Sequence, residues 1–218
     1  MRRIFYGLFC LLFLLSSCAG SPPTLPHLDQ ETPEPGGCPT LFPQGNYQYV
    51  HLIEFSMPGG KHGTAMGVTV IKDGTIHSTL MTVEGFVLFS AVFSDSLIIN
   101  RAVPPFNKPG FAEGMMEDIK AIFSPSAGEA RKGFFPGKQP VCRVTDGKRQ
   151  RTDVFVNSNG CHQRNLYLAS GQLLCTITGT ECSKVPGVGV IPKKLILTSR
   201  QSGGYTLTMT LLNVEKLE

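Results

Sequence analysis

The sequence lacks the short motifs that mark catalysis. It has no G-x-S-x-G elbow, no phosphate-binding loop, no dinucleotide fingerprint and no HExxH pair, the patterns that place a nucleophile, a phosphate cradle or a catalytic zinc. Carboxylates are few, 16 in all, and fall mostly at turns or on one helix. The five histidines (His27, His51, His62, His77 and His162) are scattered. His51 and His77 lie in predicted strands and meet across a sheet if those strands pair; ordinary core or surface histidines are the other reading. A nucleophile, a base and an orienting group do not emerge from this set. No CxxC occurs, and the adjacent pair Cys161-His162 suits a tetrahedral metal site poorly. No Lys/Arg run is interleaved with aromatics. The chain reads as a non-enzyme, without a metal site and without a nucleic-acid partner.

Also missing is an apolar run of about 20 residues, the length a membrane-spanning helix needs. The longest run, residues 4–15, is shorter; it follows Arg2 and Arg3 and leads into Leu15-Ser16-Ser17-Cys18. A basic start, an apolar middle and small residues at the end make a signal peptide. Its last four residues resemble the lipobox of bacterial lipoproteins. That resemblance implies removal of residues 1–17, diacylglycerol on the Cys18 sulfur and an acyl chain on the new amino terminus, with no other cofactor. Small residues let a peptidase approach the backbone, and a thiolate is the nucleophile that takes the lipid. An ordinary secretory signal with an incidental cysteine is the alternative. Ala19 stands where enterobacterial lipoproteins retained in the inner membrane carry aspartate, which implies the periplasmic face of the outer membrane.

Loss of Arg2 and Arg3 lowers the formal charge from +4 to +2. Of seven cysteines, Cys10 leaves with the signal and Cys18 carries lipid. The remaining five are Cys38, Cys142, Cys161, Cys175 and Cys182, an odd number, so at least one thiol is free or pairs outside the chain. An exported protein meets oxidising conditions; a disulfide within residues 161–182 is expected, with buried free thiols as the alternative.

Three regions are expected: signal 1–17, a lipidated tether 18–45, and a single domain 46–218. Seven prolines between residues 19 and 45 read as an extended tether that buries little. From Tyr47 the pattern turns to period two. Strands are predicted at 47–57, 64–71, 75–83, 86–93 and 96–103, with Asp73-Gly74 as a hairpin turn. Residues 111–123 are the one clear helix: Phe111, Met115, Ile119, Ile122 and Phe123 share a face, with Glu113 early and Lys120 late, as the helix dipole favours. Residues 126–138 read as a glycine-rich connection. A second meander follows at 141–145, 152–156, 161–169, 173–178, 194–199 and 205–214. The fold class is mainly β (α+β), about 10–11 antiparallel strands with helix on one side.

Signal, tether, meander, helix and second meander, together with Glu84-Gly85-Phe86-Val87-Leu88-Phe89, Pro104-Pro105-Phe106 and Met115-Met116-Glu117-Asp118-Ile119, resemble the LolA/LolB-like group of periplasmic lipoprotein carriers and related outer-membrane lipoproteins. The resemblance implies a curved half-barrel whose concave face is covered by helices and encloses an apolar cavity for lipid or lipoprotein acyl chains. A periplasmic carrier protein is implied as a further partner. That fold usually has more than one covering helix, and residues 41–46 and 126–135 would have to supply the others. Phe86, Phe89, Phe93, Met115, Ile119, Ile122 and Phe123 are the candidate cavity lining; a dry core made of the same residues is the alternative. Phe134 and Phe135, between glycines, are either buried plugs or a membrane-touching tip. Lys148, Arg149 and Arg151, at a hairpin tip, are a solvated turn or a contact for anionic lipid head groups. The competing functional reading is a structural or assembly lipoprotein that recognises an envelope protein and has a packed core.

Overall fold

The computed structural model describes residues 23–218 apart from Pro109 and Ser202, so Cys18 and the signal lie outside the described residues. Thirteen strands form one antiparallel sheet. In chain order they are β1 (Asp29–Pro33), β2 (Tyr47–Met57), β3 (Lys61–Lys72), β4 (Thr75–Met81), β5 (Val87–Phe93), β6 (Leu97–Ala102), β7 (Glu129–Phe135), β8 (Gln139–Thr145), β9 (Arg151–Val156), β10 (His162–Tyr167), β11 (Leu173–Val185), β12 (Gly189–Ser199) and β13 (Tyr205–Lys216); helix α1 (Phe111–Phe123) separates β6 from β7. Across the sheet the order is β1-β7-β8-β9-β10-β11-β12-β13-β2-β3-β4-β5-β6. The two meanders join through β13 and β2, and the sheet stays open, with β1 and β6 as its edges.

The alternation along β2 turns Tyr47, Tyr49 and His51 to the buried side. Residues directly opposite one another on paired strands share a face, so Cys142, Val154, Arg164, Ile177, Leu197, Leu207 and Phe55 form one row along the concave side from β8 to β2. Register shifts between β4 and β5, β5 and β6, β10 and β11, and β13 and β2 bend the strands. On β3, a Cβ at Gly67 would lie 2.6 Å from the Ile53 side chain and one at Gly63 2.4 Å from the Phe55 ring. Glycine there lets large side chains lie flat against the next strand. The Asp73-Gly74 turn has both residues at positive φ, 49° and 79°, the two-residue hairpin geometry expected of that dipeptide.

Two expectations about the proline- and glycine-rich segments are corrected. The tether does not extend to residue 45. Residues 23–25 pair with residues 171–173 at the turn into β11, the chain then reaches the outer face of β8, where Arg143 Nη2 donates to Pro26 O at 3.0 Å, and β1 pairs with β7. Leu28, Leu41 and Phe42 are buried, and a Cys38–Cys142 disulfide fastens the segment to β8. Proline density suppressed helix and strand signals there without preventing burial. Residues 126–138 are not a bare connection either, since β7 occupies most of them. Neither 41–46 nor 126–135 supplies a helix; among the described residues α1 alone does, joined on the concave face by the irregular segment through Leu41 and Phe42.

The expected bridge in the second meander is Cys161–Cys182, and Cys175 is the buried free thiol. Beneath residues 23–28, Arg143 and Asp153 form a two-pronged ion pair, Nε to Oδ1 at 2.5 Å and Nη2 to Oδ2 at 2.7 Å, with Asp153 fully buried.

Cys38 and Cys142 are 104 residues apart and Cys161 and Cys182 only 21. Because the closed loop limits the unfolded chain, replacing the first pair by serine is expected to lower the unfolding free energy by about 4–5 kcal/mol and the second by about 3 kcal/mol. Urea titration of the two double variants measures both, and the reverse order would contradict the loop-length argument.

Candidate functional site

The candidate site is the concave face and the helix lying on it. On α1, Ala112, Met116, Ile122 and Phe123 are buried. Two apolar clusters meet beneath the helix. One joins Phe89 and Met116 with Phe93 and Met115 at its margin. The other joins Ile122 and Phe123 with Phe42, Tyr49, Ile177, Leu195 and Leu197. Ile119 packs against both clusters.

Six of the seven predicted lining residues (Phe89, Phe93, Met115, Ile119, Ile122 and Phe123) thus come together under the helix. Phe86 does not. It is 55% exposed in the turn before β5, with the Arg101 guanidinium 5.0 Å from its ring centre; the apolar run to which it belongs starts its strand one residue later. Phe134 and Phe135 are half-buried in β7, and Phe135 meets Phe155 edge to face at 5.2 Å, so they are strand residues and not a loop tip.

Polar side chains tie α1 to the sheet. Arg164 on β10 is only 2% exposed. Its Nη1 donates to Ala121 O and, at 3.0 Å, to Ser124 O, so a cation sits on the free carbonyls at the helix carboxyl end, where the dipole is negative. Burial pushes its pKa down to about 10, and its Nε has no protein partner. Asp118 on α1 accepts a hydrogen bond from the Tyr205 hydroxyl on β13. Burial pushes the Asp118 carboxyl up to about 6, against the opposing effect of that hydrogen bond. Cys175 lies near enough for Asp118 to add to the effect of burial, which raises the thiol to about 12; it is a protonated, inert thiol.

Phe42, Tyr49, His51 and Phe123 form a compact aromatic group, Phe42 and Phe123 with centres 4.8 Å apart and Tyr49 and Phe123 5.1 Å apart. Burial lowers His51 to about 4, so it is a neutral ring in the core. His77 is exposed on the outer face, and the two histidines do not meet. Phe42, His51, Asp118, Arg164 and Tyr205 were missed as site residues. The alternation of β2 was the available sign for His51; nothing local marks Arg164 as a helix anchor.

Among the described residues, two surface grooves bear on the concave face and its rim. One, of about 290 Å³, is lined by Ser183, Val185, Ile191, Lys193, Leu211, Leu212, Asn213 and Val214. Its Val185, Ile191, Leu211 and Val214 belong to the larger core cluster, so it is an opening of the concave interior. The other, of about 340 Å³, lies between the end of β2 and the β12–β13 turn, at Met57, Pro58 and Tyr205. Neither is lined by the residues picked from the sequence.

A carboxyl raised from 3.8 to about 6 in the folded state favours folding fully below the unfolded value. That contribution is lost as pH rises through about 6. Relative to Asp118→Asn, the wild-type protein is therefore expected to lose on the order of 3 kcal/mol across this window. Urea unfolding of both proteins at a series of pH values measures it; parallel curves would show that Asp118 titrates as it does in the unfolded chain.

No protein-family model matches the sequence, and no curated protein matches it. Solved structures that resemble the chain include a DUF1329 family protein from Desulfovibrio piger, 11% identical, TM-score 0.50, covering 78% of this chain and 85% of that one. A LolA superfamily protein from Nitrosomonas europaea is 14% identical, TM-score 0.47, with 81% and 88% covered. A domain described as an outer membrane lipoprotein-sorting protein, from Vibrio parahaemolyticus, is 12% identical, TM-score 0.47, with 80% and 87% covered. At these identities the likeness is one of fold alone, and in fold this chain is similar to the Desulfovibrio piger protein.

Proposed function

We propose that the protein is a lipid-anchored protein of the bacterial outer membrane that takes lipid or lipoprotein acyl chains into its concave face, as a carrier or acceptor without covalent chemistry. The observation that carries this reading is the groove of about 290 Å³ continuous with the core. Apolar ligand sites are concave and run from about 300 Å³ upward, so the groove admits part of a chain. The rest is accommodated where Ile119 and Phe123 lie between helix and sheet. Met115 and Met116, unbranched and adaptable, suit a wall that changes shape. Lys193 at the groove offers a charge to a phosphate or carboxylate. Anchoring through Cys18 follows from the lipobox resemblance, and the resemblance to LolA/LolB-like carriers adds the chemical class of the cargo.

The competing reading, an assembly lipoprotein with a dry core, has an observation in its favour. Phe42, Tyr49, His51 and Phe123 already fill the space beneath the carboxyl end of α1. Under that reading the concave face is structural, and a protein partner binds the outer surface.

Native mass spectrometry of the mature protein incubated with phospholipid and fatty acid separates the two. The expected result is a bound mass in addition to the acyl groups on Cys18. Leu212→Glu, in the groove lining and 54% exposed, is expected to lower its occupancy at least tenfold, about 1.4 kcal/mol, while leaving the urea midpoint within the range of surface variants. A protein that stays unliganded at all lipid concentrations would reject the carrier reading in favour of the dry core.

A further inference from the structure

The described chain begins against the turn between β10 and β11. Leu25 N–H donates to Gly171 O at 2.7 Å, Leu173 N–H donates to Pro23 O at 3.0 Å, and Thr24 bridges Gln172. Antiparallel connectivity puts this turn at the same end of the sheet as the β8–β9, β12–β13, β2–β3 and β4–β5 turns. The β9–β10 and β11–β12 turns lie at the other end. Strand β11, with 13 residues, separates the two ends by roughly 40 Å.

Cys18 precedes Pro23 by five residues, which span at most about 17 Å when fully extended. An acylated Cys18 therefore keeps the Pro23 end of the sheet within that distance of the bilayer, whereas the β11–β12 turn approaches it only if the strands lie flat along the membrane. A slack tether running to residue 45 would have left every face free to meet the membrane. The pairing of β1 and the burial of Leu28, Leu41 and Phe42 remove that freedom.

The same end is basic. Lys148, Arg149 and Arg200 are exposed and Arg151 half-buried; Arg151 Nη1 donates to Ala169 O at 3.3 Å, joining the β8–β9 turn to the turn that holds Pro23. None of the four forms an ion pair among the described residues. The nearby carboxylates are engaged: Asp146 Oδ1 accepts the backbone N–H groups of Lys148 and Gln150, and Glu129 pairs with Arg131. Farther along the same rim, Val83 and Phe86 are 58% and 55% exposed.

We infer that this rim is the surface the protein lays on a bilayer, with Lys148, Arg149, Arg151 and Arg200 meeting anionic phospholipid head groups beside the anchor. Each basic side chain near an anionic bilayer raises the bound population about fivefold, so four of them fix which face is turned down. The placement rests on the acylation of Cys18 proposed above.

The chain contains no tryptophan, so single reporters can be introduced without background. Ser170→Trp, at the exposed tip of the β10–β11 turn, and Val190→Trp, at the opposite end, are placed in the mature protein. Each is reconstituted into vesicles of phosphatidylethanolamine and phosphatidylglycerol carrying a dansyl-labelled head group, after intact mass has verified the acyl groups. Energy transfer is expected to be several-fold greater from Ser170→Trp than from Val190→Trp. Combining Lys148→Glu with Arg149→Glu, or substituting phosphatidylcholine for phosphatidylglycerol, should reduce that excess, because the anchor alone holds the Pro23 end near the bilayer but lets the sheet tip over. Equal transfer from both reporters on an acylated protein overturns the orientation. An excess unchanged by charge reversal and by neutral lipid overturns the head-group contact. A Cys18 without acyl groups removes the anchor reading and this placement with it, and the intact mass distinguishes that failure from the other two.

Discussion

The pairing of β13 with β2 holds this molecule together as one sheet. Each meander could form from neighbours in sequence, but the two become a single curved surface only because the last strand returns to the first long one, paired from Thr206–Ser56 to Lys216–Tyr47 with one register shift between Leu211 and Asn213. Contacts so distant in sequence repay their loop-closure entropy late. The apolar stretch of the concave row from Ile177 through Leu197 and Leu207 to Phe55 crosses that seam without a break, and its burial supplies the driving force for closing it.

The position of the helix follows from the same constraint. Once β13 and β2 are adjacent, β6 lies at one edge of the sheet and β7 beside the other. The segment between them must cross a face. The concave face offers the apolar partner for Met116, Ile122 and Phe123, so α1 crosses there. Its carboxyl end then comes over β10, where Arg164 supplies donors to its unpaired carbonyls, and Asp118 comes over β13 to meet Tyr205. A buried cation resting on backbone carbonyls, without a carboxylate partner, is costly to desolvate; the price is accepted where it fixes the helix end. The amino-terminal segment acts in the same way on the outer face, where Pro26 O accepts from Arg143 and covers the Arg143–Asp153 pair.

Most of the strands were legible. Alternation in β2, the Asp73-Gly74 turn and the apolar stripe of α1 are local signals, and the helix bounds agree with those read from the sequence. Residues 23–45 and β7 were not. Proline and glycine obscure a strand whose only reason to exist is a partner more than 90 residues away: Pro33 pairs with Arg131. The site was partly legible. Six apolar residues could be grouped because helix and β5 periodicities are reliable, whereas Phe86 was misplaced because an unbroken apolar run does not show where its strand begins. Met116, next to the chosen Met115, is the more deeply buried of the two, since the sheet approaches the helix from a slightly rotated direction.

Sequence by itself determined what depends on near neighbours: most of the period-two strands, the helix and the mainly β class, because hydrophobic period and turn chemistry act over a few residues. Tertiary structure alone decided the rest. It paired Cys38 with Cys142, joined the meanders at β13 and β2, set Arg164 on the helix end, and bound residues 23–45 to the sheet so that only a short stretch separates the sheet from Cys18. Each of these unites residues far apart in the chain, and what selects them is the burial and pairing available in one folded arrangement, which no local pattern encodes.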